Sequence, residues 1–175
     1  MTVYSVFKSN ITRVTADAVV YSANTHLIKG SGMCKDVFNA AGEQELTDAL
    51  EPYGELPEGE ALITSGYNLP AKYLIHTVTP IYYTLQDKNV EIFSYCFVNC
   101  LKKAAEHKLK NIAFPCIGCG NHGWPVIEAI RIMVDTISWV LARHPEYGID
   151  KIIFVAYDER QEYELKSYLK IKRLM

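Results

Sequence analysis

Residues 16–33, ADAVVYSANTHLIKGSGM, join a short apolar segment to a loop of small and polar residues. Residues 111–125, NIAFPCIGCGNHGWP, repeat this order. Each loop places glycine where a predicted strand leads to a predicted helix, so backbone N–H groups can approach a ligand without a Cβ atom in the way. The helix that follows adds the positive end of its dipole. Two such loops facing one cleft predict a site for a nucleotide diphosphate.

Segments typical of strands and helices alternate along the chain. The predicted strands are residues 3–8, 16–21, 61–64, 73–78, 111–114 and 152–157, and the predicted helices are residues 35–50, 90–105, 125–142 and 159–169. Strands that are apolar on both faces indicate a sheet covered by helices on each side, which is a three-layer α/β/α sandwich. Ligands bind such sheets at the carboxyl ends of the strands, where both loops lie. No linker or repeat divides residues 1–175, so we expect a single domain.

Composition excludes several classes of protein. The 175 residues are 49% hydrophobic and 22% charged, which is typical of a globular chain. No apolar run is long enough to cross a bilayer, and the N-terminus lacks the features of a signal peptide. A net charge of −2 without a basic field argues against an extended nucleic-acid surface. We therefore expect a cytoplasmic monomer without a membrane partner.

Five segments in the same order resemble the macrodomain family, the ADP-ribose-binding modules. They are FKSNIT at residues 7–12, ADAVVYSAN at 16–24, GEALITSGYNLPAKYLIHTVTP at 59–80, IAFPCIGCGNHGWP at 112–125 and FVAYDE at 154–159. The resemblance covers nearly the whole chain. It implies a central mixed, mostly parallel sheet and a cleft that takes ADP-ribose lengthwise, without a further cofactor or a metal.

The resemblance also implies which residues contact ADP-ribose. Asn10 occupies the place of an Asp that accepts a hydrogen bond from the adenine amino group, and Ile11 lines the floor of the adenine site. Tyr157 stands where an aromatic residue flanks adenine. The residues implied at the diphosphate and the distal ribose are Ala23, Asn24, Gly30, Ser31, Gly32, Met33, Gly118, Cys119, Gly120, Asn121 and His122.

Departures from the family pattern fall where chemistry would occur. Asn10 is a neutral acceptor, so we expect its amide oxygen to bind the adenine amino group more weakly than a carboxylate would. Cys34 stands ten residues after Asn24, where hydrolytic members often carry Asp. Asp36, two residues later, either caps the following helix or supplies the absent carboxylate. The candidate catalytic residues are therefore Asn24, Cys34, Asp36 and His122.

Several of these side chains have more than one interpretation. Asn24 either contacts ribose or caps a turn. The two loops also carry His26, Cys34, Cys119 and His122, whose side chains could bind zinc or form a Cys–His nucleophilic pair. Alternatively, His122 stacks on or hydrogen-bonds with ribose while the thiols fill space. We expect His76 to be a buried core histidine. Trp124 is expected to anchor the second loop in the core.

Three functions are compatible with these residues. The first is a module that binds ADP-ribose, either free or attached to protein. The second is an ADP-ribosyl hydrolase, of glycohydrolase or esterase type, with an unusual catalytic set that releases ADP-ribose from protein, nucleic acid or a small ester. The third is a scaffold whose cleft is blocked by Lys29 or Tyr21. Binding tolerates these substitutions better than hydrolysis does, because backbone N–H groups make most of the contacts.

Overall fold

A six-stranded sheet forms the centre of the molecule. The computed structural model describes residues 1–83 and 86–175. The strands are β1 (Val3–Lys8), β2 (Ala18–Ser22), β3 (Ala61–Ser65), β4 (Tyr73–Thr77), β5 (Asn111–Pro115) and β6 (Lys151–Ala156). Their order across the sheet is β1-β6-β5-β2-β4-β3. β3 pairs antiparallel with β4 and the other described pairings are parallel, so the sheet is mixed and mostly parallel as expected.

Helices cover both faces of this sheet. They are α1 (Gly32–Ala41), α2 (Glu43–Leu50), α3 (Asp87–Glu106), α4 (Val126–Arg143) and α5 (Glu159–Ile171), with short 3₁₀ turns at Ile11–Arg13, Glu51–Tyr53 and Pro145–Tyr147. Alternate residues of a strand face opposite helix layers. In β2, Val20 packs in the cluster that contains α3, α4 and α5, whereas Val19 packs in the cluster that contains α1 and α2. The predicted three-layer sandwich is confirmed.

One predicted helix is wrong. Residues 35–50 form two helices rather than one, because Gly42 takes a φ of 112° between them. Such a backbone conformation is readily available only to glycine, and it redirects the chain. The helix also starts earlier than predicted, at Gly32. The remaining boundaries differ from the prediction by at most three residues, with the largest difference at the start of α3.

His76 is a core histidine, as expected, and it is fully buried in β4. The Thr64 hydroxyl donates to the Ser65 carbonyl, so its oxygen accepts from Nε2–H of His76 at 2.9 Å. Nδ1 of His76 therefore accepts from the Tyr21 hydroxyl at 2.7 Å. Burial lowers the pKa of His76 to about 3. The neutral ring thus links β2, β4 and β3.

This ring makes stability depend on pH. In the unfolded chain, the imidazole binds a proton below about pH 6.5, whereas in the folded chain it stays neutral down to about pH 3. Stability is therefore lost as the pH falls through this window, and we expect His76 to contribute a loss of about 2 kcal/mol between pH 7 and pH 5. Urea unfolding at the two pH values measures it.

A pair of variants isolates this contribution. His76→Asn should be less stable at pH 7 and should lose the histidine part of the pH dependence. His26→Asn, at an exposed position, should keep the wild-type dependence. A wild-type protein equally stable at pH 7 and pH 5 would contradict the buried neutral ring.

Candidate functional site

Two loops leave the sheet side by side. β2 and β5 are parallel neighbours, with Ala18 opposite Ile112 and Val19 opposite Ala113. The first loop (residues 23–31) follows β2, and the second loop (residues 116–125) follows β5. Because the carboxyl ends of parallel neighbours meet at one edge, the two loops face each other across a cleft.

The cleft consists of two adjoining chambers, which we call the first and the second chamber, with volumes of about 300 Å³ and about 310 Å³. Every residue that the sequence analysis assigned to ADP-ribose binding or to catalysis lines at least one of them. Those on the first chamber are Ala23, Asn24, Gly30, Ser31, Cys34, Gly118, Asn121 and His122. Those on the second chamber are Asn10, Ile11, Asp36, Cys119 and Tyr157. Gly32, Met33 and Gly120 line both.

Backbone amides without a protein acceptor belong to residues of the two loops that line the chambers, among the described residues. Within residues 1–83 and 86–175, the amide nitrogens of residues 31–33 and 118–122 donate to no protein acceptor. Those of residues 31–33 lie at the N-terminal end of α1. No Lys or Arg among the described residues lines either chamber. An anion bound there would be held by N–H dipoles and the helix terminus rather than by cationic side chains.

Side chains hold the first loop in shape. The Asn24 side chain donates through Nδ2 to the Ile28 carbonyl at 2.6 Å and accepts through Oδ1 from the Ile28 amide at 3.2 Å. Asn24 therefore caps the loop while it lines the first chamber. A Cβ atom at Gly30 would lie 3.3 Å from Nδ2 of Asn24 and 3.5 Å from Sγ of Cys34, so this position is close to both side chains.

Across the cleft, a side-chain hydrogen bond connects the two loops. Nδ2 of Asn121 donates to Oγ of Ser31 at 2.6 Å. Both residues are exposed. Both side chains line the first chamber, so this contact joins its two walls.

The second loop is anchored from below, and Trp124 is the anchor, as expected. Its indole is buried, stacks on Phe93 at 4.1 Å between ring centroids, and donates from Nε1 to the Pro80 carbonyl at 2.8 Å. Gly118 lies against this stack with a φ of 81°. The loop geometry therefore depends on glycine at this position.

Sequence reasoning missed the residues that orient His122. Thr79 is fully buried just after β4, and its hydroxyl bonds to Nδ1 of His122 at 2.5 Å and to the Ser22 hydroxyl at 2.9 Å. This series of hydrogen bonds fixes the His122 imidazole at the wall of the first chamber. The sequence did contain an indication of this role, because Thr79 directly follows the predicted buried strand in the segment LIHTVTP.

The proposed zinc or nucleophile set does not assemble. His26 faces Glu55 at 3.4 Å and lines neither chamber. In the described part of the chain, no three or more His, Cys, Asp or Glu side chains are grouped closely enough to hold a metal ion. Burial raises the pKa of Cys34 and raises the pKa of Cys119 to about 12, so both thiols are uncharged near neutral pH. Uncharged thiols are poor nucleophiles.

Cys116 and Cys119 form a C-x-x-C pair in the second loop, which was not among the predicted metal or nucleophile sets. Cys116 lines both chambers. Burial raises the pKa of its thiol further, with a smaller contribution from neighbouring Cys119. We therefore assign the pair to the wall of the cleft rather than to thiol chemistry.

In the second chamber, the expected roles of Asn10 as an acceptor for adenine and of Asp36 as a helix cap are corrected. Oδ1 of Asn10 already accepts from the amide of Thr12 at 2.9 Å and from its hydroxyl at 2.7 Å, so it is not free for a ligand amino group. Asp36 does not cap α1, because that helix begins after Ser31 and Asp36 lies in its second turn. Its side chain is exposed on the second chamber, away from Asn24 and His122.

Neither residue suspected of blocking the cleft does so. Lys29 forms an ion pair with Glu43 at 2.6 Å, and Tyr21 is buried against His76. Neither side chain lines a chamber. The scaffold hypothesis therefore loses its structural basis.

Comparisons with known proteins agree with this geometry. The profile of the Macro domain family matches residues 20–133, and the chain belongs to this family. The Macro domain-containing protein CT2219 of Chlorobaculum tepidum is 41% identical over 153 residues, which are 87% of each chain. ADP-ribose glycohydrolase MACROD1 of Rattus norvegicus is 36% identical over 160 residues, which are 90% of this chain and 61% of that protein.

Solved structures show the same fold. The macrodomain of Oceanobacillus iheyensis with ADP has a TM-score of 0.86 and 33% identity, covering 96% of this chain and 90% of that one. A mutant of the same protein was solved with ADPR, at a TM-score of 0.84. Among the described residues, no helix combines the length and apolar character needed to cross a membrane.

Gly118 gives a test of the loop anchor. A Cβ atom there would lie 2.9 Å from Cδ1 of Trp124 and 3.2 Å from Cε2 of Phe93, and the positive φ adds strain. We expect Gly118→Ala to lower the free energy of unfolding by about 1–3 kcal/mol. Gly120→Ala is the matched control, because no atom lies within 4 Å of its Cβ position, and it should change stability by less than about 0.5 kcal/mol. Equal stabilities of both variants in urea would contradict the anchor.

Proposed function

We propose that this chain binds ADP-ribose in the cleft between its two loops. The observation that carries the proposal is the row of unpaired amides where the two chambers meet, because such amides suit a diphosphate. A nucleoside would fill one chamber and a second ribose the other. Family membership and the ADP and ADPR complexes of the Oceanobacillus iheyensis macrodomain support this ligand.

The lining of the chambers suggests the direction of the ligand. The second chamber has apolar walls that include Ile11, Val155 and the exposed ring of Tyr157, which suits a flat base. The first chamber offers polar groups on Asn24 and His122, which suit the hydroxyls of a distal ribose. The diphosphate then lies between residues 31–33 and residues 118–122. The bridge from Asn121 to Ser31 crosses near it.

Gly120 provides the test of this proposal. It lines both chambers and its Cβ direction is open, so a leucine side chain can occupy the cleft without disturbing the core. We expect calorimetry to detect ADP-ribose binding to the wild type and at least about a tenfold loss for Gly120→Leu, since the side chain excludes the diphosphate.

The matched control is Ala142→Leu, which adds the same side chain at an exposed position of α4. It should bind as the wild type does. No heat and no thermal shift for the wild type with millimolar ADP-ribose would reject the proposal.

Hydrolysis of an ADP-ribosyl bond is the second candidate, favoured by the likeness to ADP-ribose glycohydrolase MACROD1. This chain spans 61% of that protein. The side chains of the first chamber in this chain also differ from those that hydrolysis of a glycosyl bond requires. Cleavage of a glycosyl bond is assisted by a carboxylate that activates water or stabilises positive charge. The first chamber has no Asp or Glu among its described residues, and its titratable side chains are Cys34, Cys116 and His122. Binding is therefore the better supported function.

A carboxylate introduced into the first chamber tests why binding is better supported than hydrolysis. We expect wild-type protein to release ADP-ribose slowly from a protein modified on carboxylate side chains. Cys34→Asp should release it at least about tenfold faster, because the aspartate enters the first chamber beside Asn24. Cys34→Asn has nearly the same shape without the charge and should stay slow. Release by the wild type as fast as by the Asp variant would show that the chain uses another catalytic group.

A further inference from the structure

The polar groups of the second chamber carry an inference about recognition of the base. Its side-chain amides belong to Asn10 and Gln161. The Asn10 oxygen accepts both Thr12 donors, and the Gln161 oxygen accepts from the Tyr157 amide at 2.9 Å. A backbone N–H can only donate, so these bonds fix the orientation of both amides. Each amide thus leaves its NH₂ group, a donor, for a ligand.

A second chamber that offered donors alone would repel an exocyclic amino group. Adenine carries such a group beside ring nitrogens that accept hydrogen bonds, so its polar edge needs an acceptor next to donors. Ser9 also lines this chamber, and its hydroxyl hydrogen is used in a hydrogen bond to the Asn10 carbonyl at 3.3 Å. Asp36 is the single carboxylate among the described residues that line this chamber.

Asp36 is also free to act. Its side chain is exposed in α1, and in the described part of the chain it forms neither an ion pair nor a hydrogen bond. A carboxylate accepts through two oxygens and binds donors more strongly than a neutral amide does. The chamber therefore holds one strong acceptor and two oriented donors.

We propose that Asp36 determines base specificity by accepting a hydrogen bond from the 6-amino group of adenine, with Asn10 and Gln161 donating to ring nitrogens. The carboxylate for the amino group thus stands on α1 instead of at position 10. This assignment rests on the proposed binding of ADP-ribose and names the group that selects its base.

The direction in which Asp36→Asn changes the affinity for ADP-ribose distinguishes a direct hydrogen bond from long-range electrostatics. Asp36 is negatively charged beside a site for an anionic ligand, so removing the charge should tighten binding if Asp36 makes no contact. If Asp36 accepts from the amino group, Asp36→Asn should instead weaken ADP-ribose binding by about tenfold. Asp48→Asn, on α2 and away from both chambers, removes the same charge and controls for long-range effects.

The experiment compares two ligands by calorimetry. One is ADP-ribose, and the other is its analogue with hydrogen in place of the 6-amino group. Wild type and Asp48→Asn should bind ADP-ribose about tenfold more tightly than the analogue. Asp36→Asn should lose most of this preference, because an amide oxygen accepts more weakly than a carboxylate. Asn10→Ser keeps a capping residue while removing the NH₂ group, so it should still discriminate between the ligands.

Each outcome is decisive. An unchanged preference for ADP-ribose in Asp36→Asn, or tighter binding of ADP-ribose by this variant, overturns the role of Asp36 and leaves the proposed function intact. Failure of the wild type to bind ADP-ribose overturns the proposed function, and the role of Asp36 with it. Loss of the preference in Asp36→Asn alone supports the assignment.

Discussion

The parallel pairing of β2 with β5 is the constraint on which the rest of the molecule depends. It brings two glycine-bearing loops to one edge of the sheet, where the amides of residues 31–33 and 118–122 find no acceptor among the described residues. Backbone N–H groups that find no acceptor in the protein must be satisfied by water or by a ligand. A cleft lined by such groups is suited to an anion, even though the whole chain has a net charge of −2.

Rigid support makes these amides useful. Trp124 fixes the second loop from below, Asn24 fixes the first loop from within, and Thr79 orients His122. Donors that are already in place lose little entropy when a ligand arrives, so more of the contact energy contributes to affinity. The same support explains why small changes in these loops, such as one methyl group at Gly118, should have large effects.

Most of the fold could be predicted because the strands are short apolar runs and the helices have regular apolar spacing. The break at Gly42 was missed, although the apolar positions shift phase there, from Ala41 to Leu46. The cleft residues were predicted from glycine and from family resemblance. Their roles were less accessible, since the sequence of Asn10 and Thr12 indicates a local turn but does not show that the turn uses up the amide oxygen. The placement of Asp36 and the contact between Thr79 and His122 depend on tertiary packing, which residue spacing alone does not encode.

Amide chemical shifts test the central role of the backbone most directly. In a ¹⁵N–¹H correlation spectrum of the wild type titrated with ADP-ribose, the amides of residues 31–33 and 118–122 should show the largest changes, because their protons would acquire phosphate acceptors. Amides on the opposite edge of the sheet should change little. Saturable binding that leaves these loop amides unshifted would contradict a diphosphate held by the main chain.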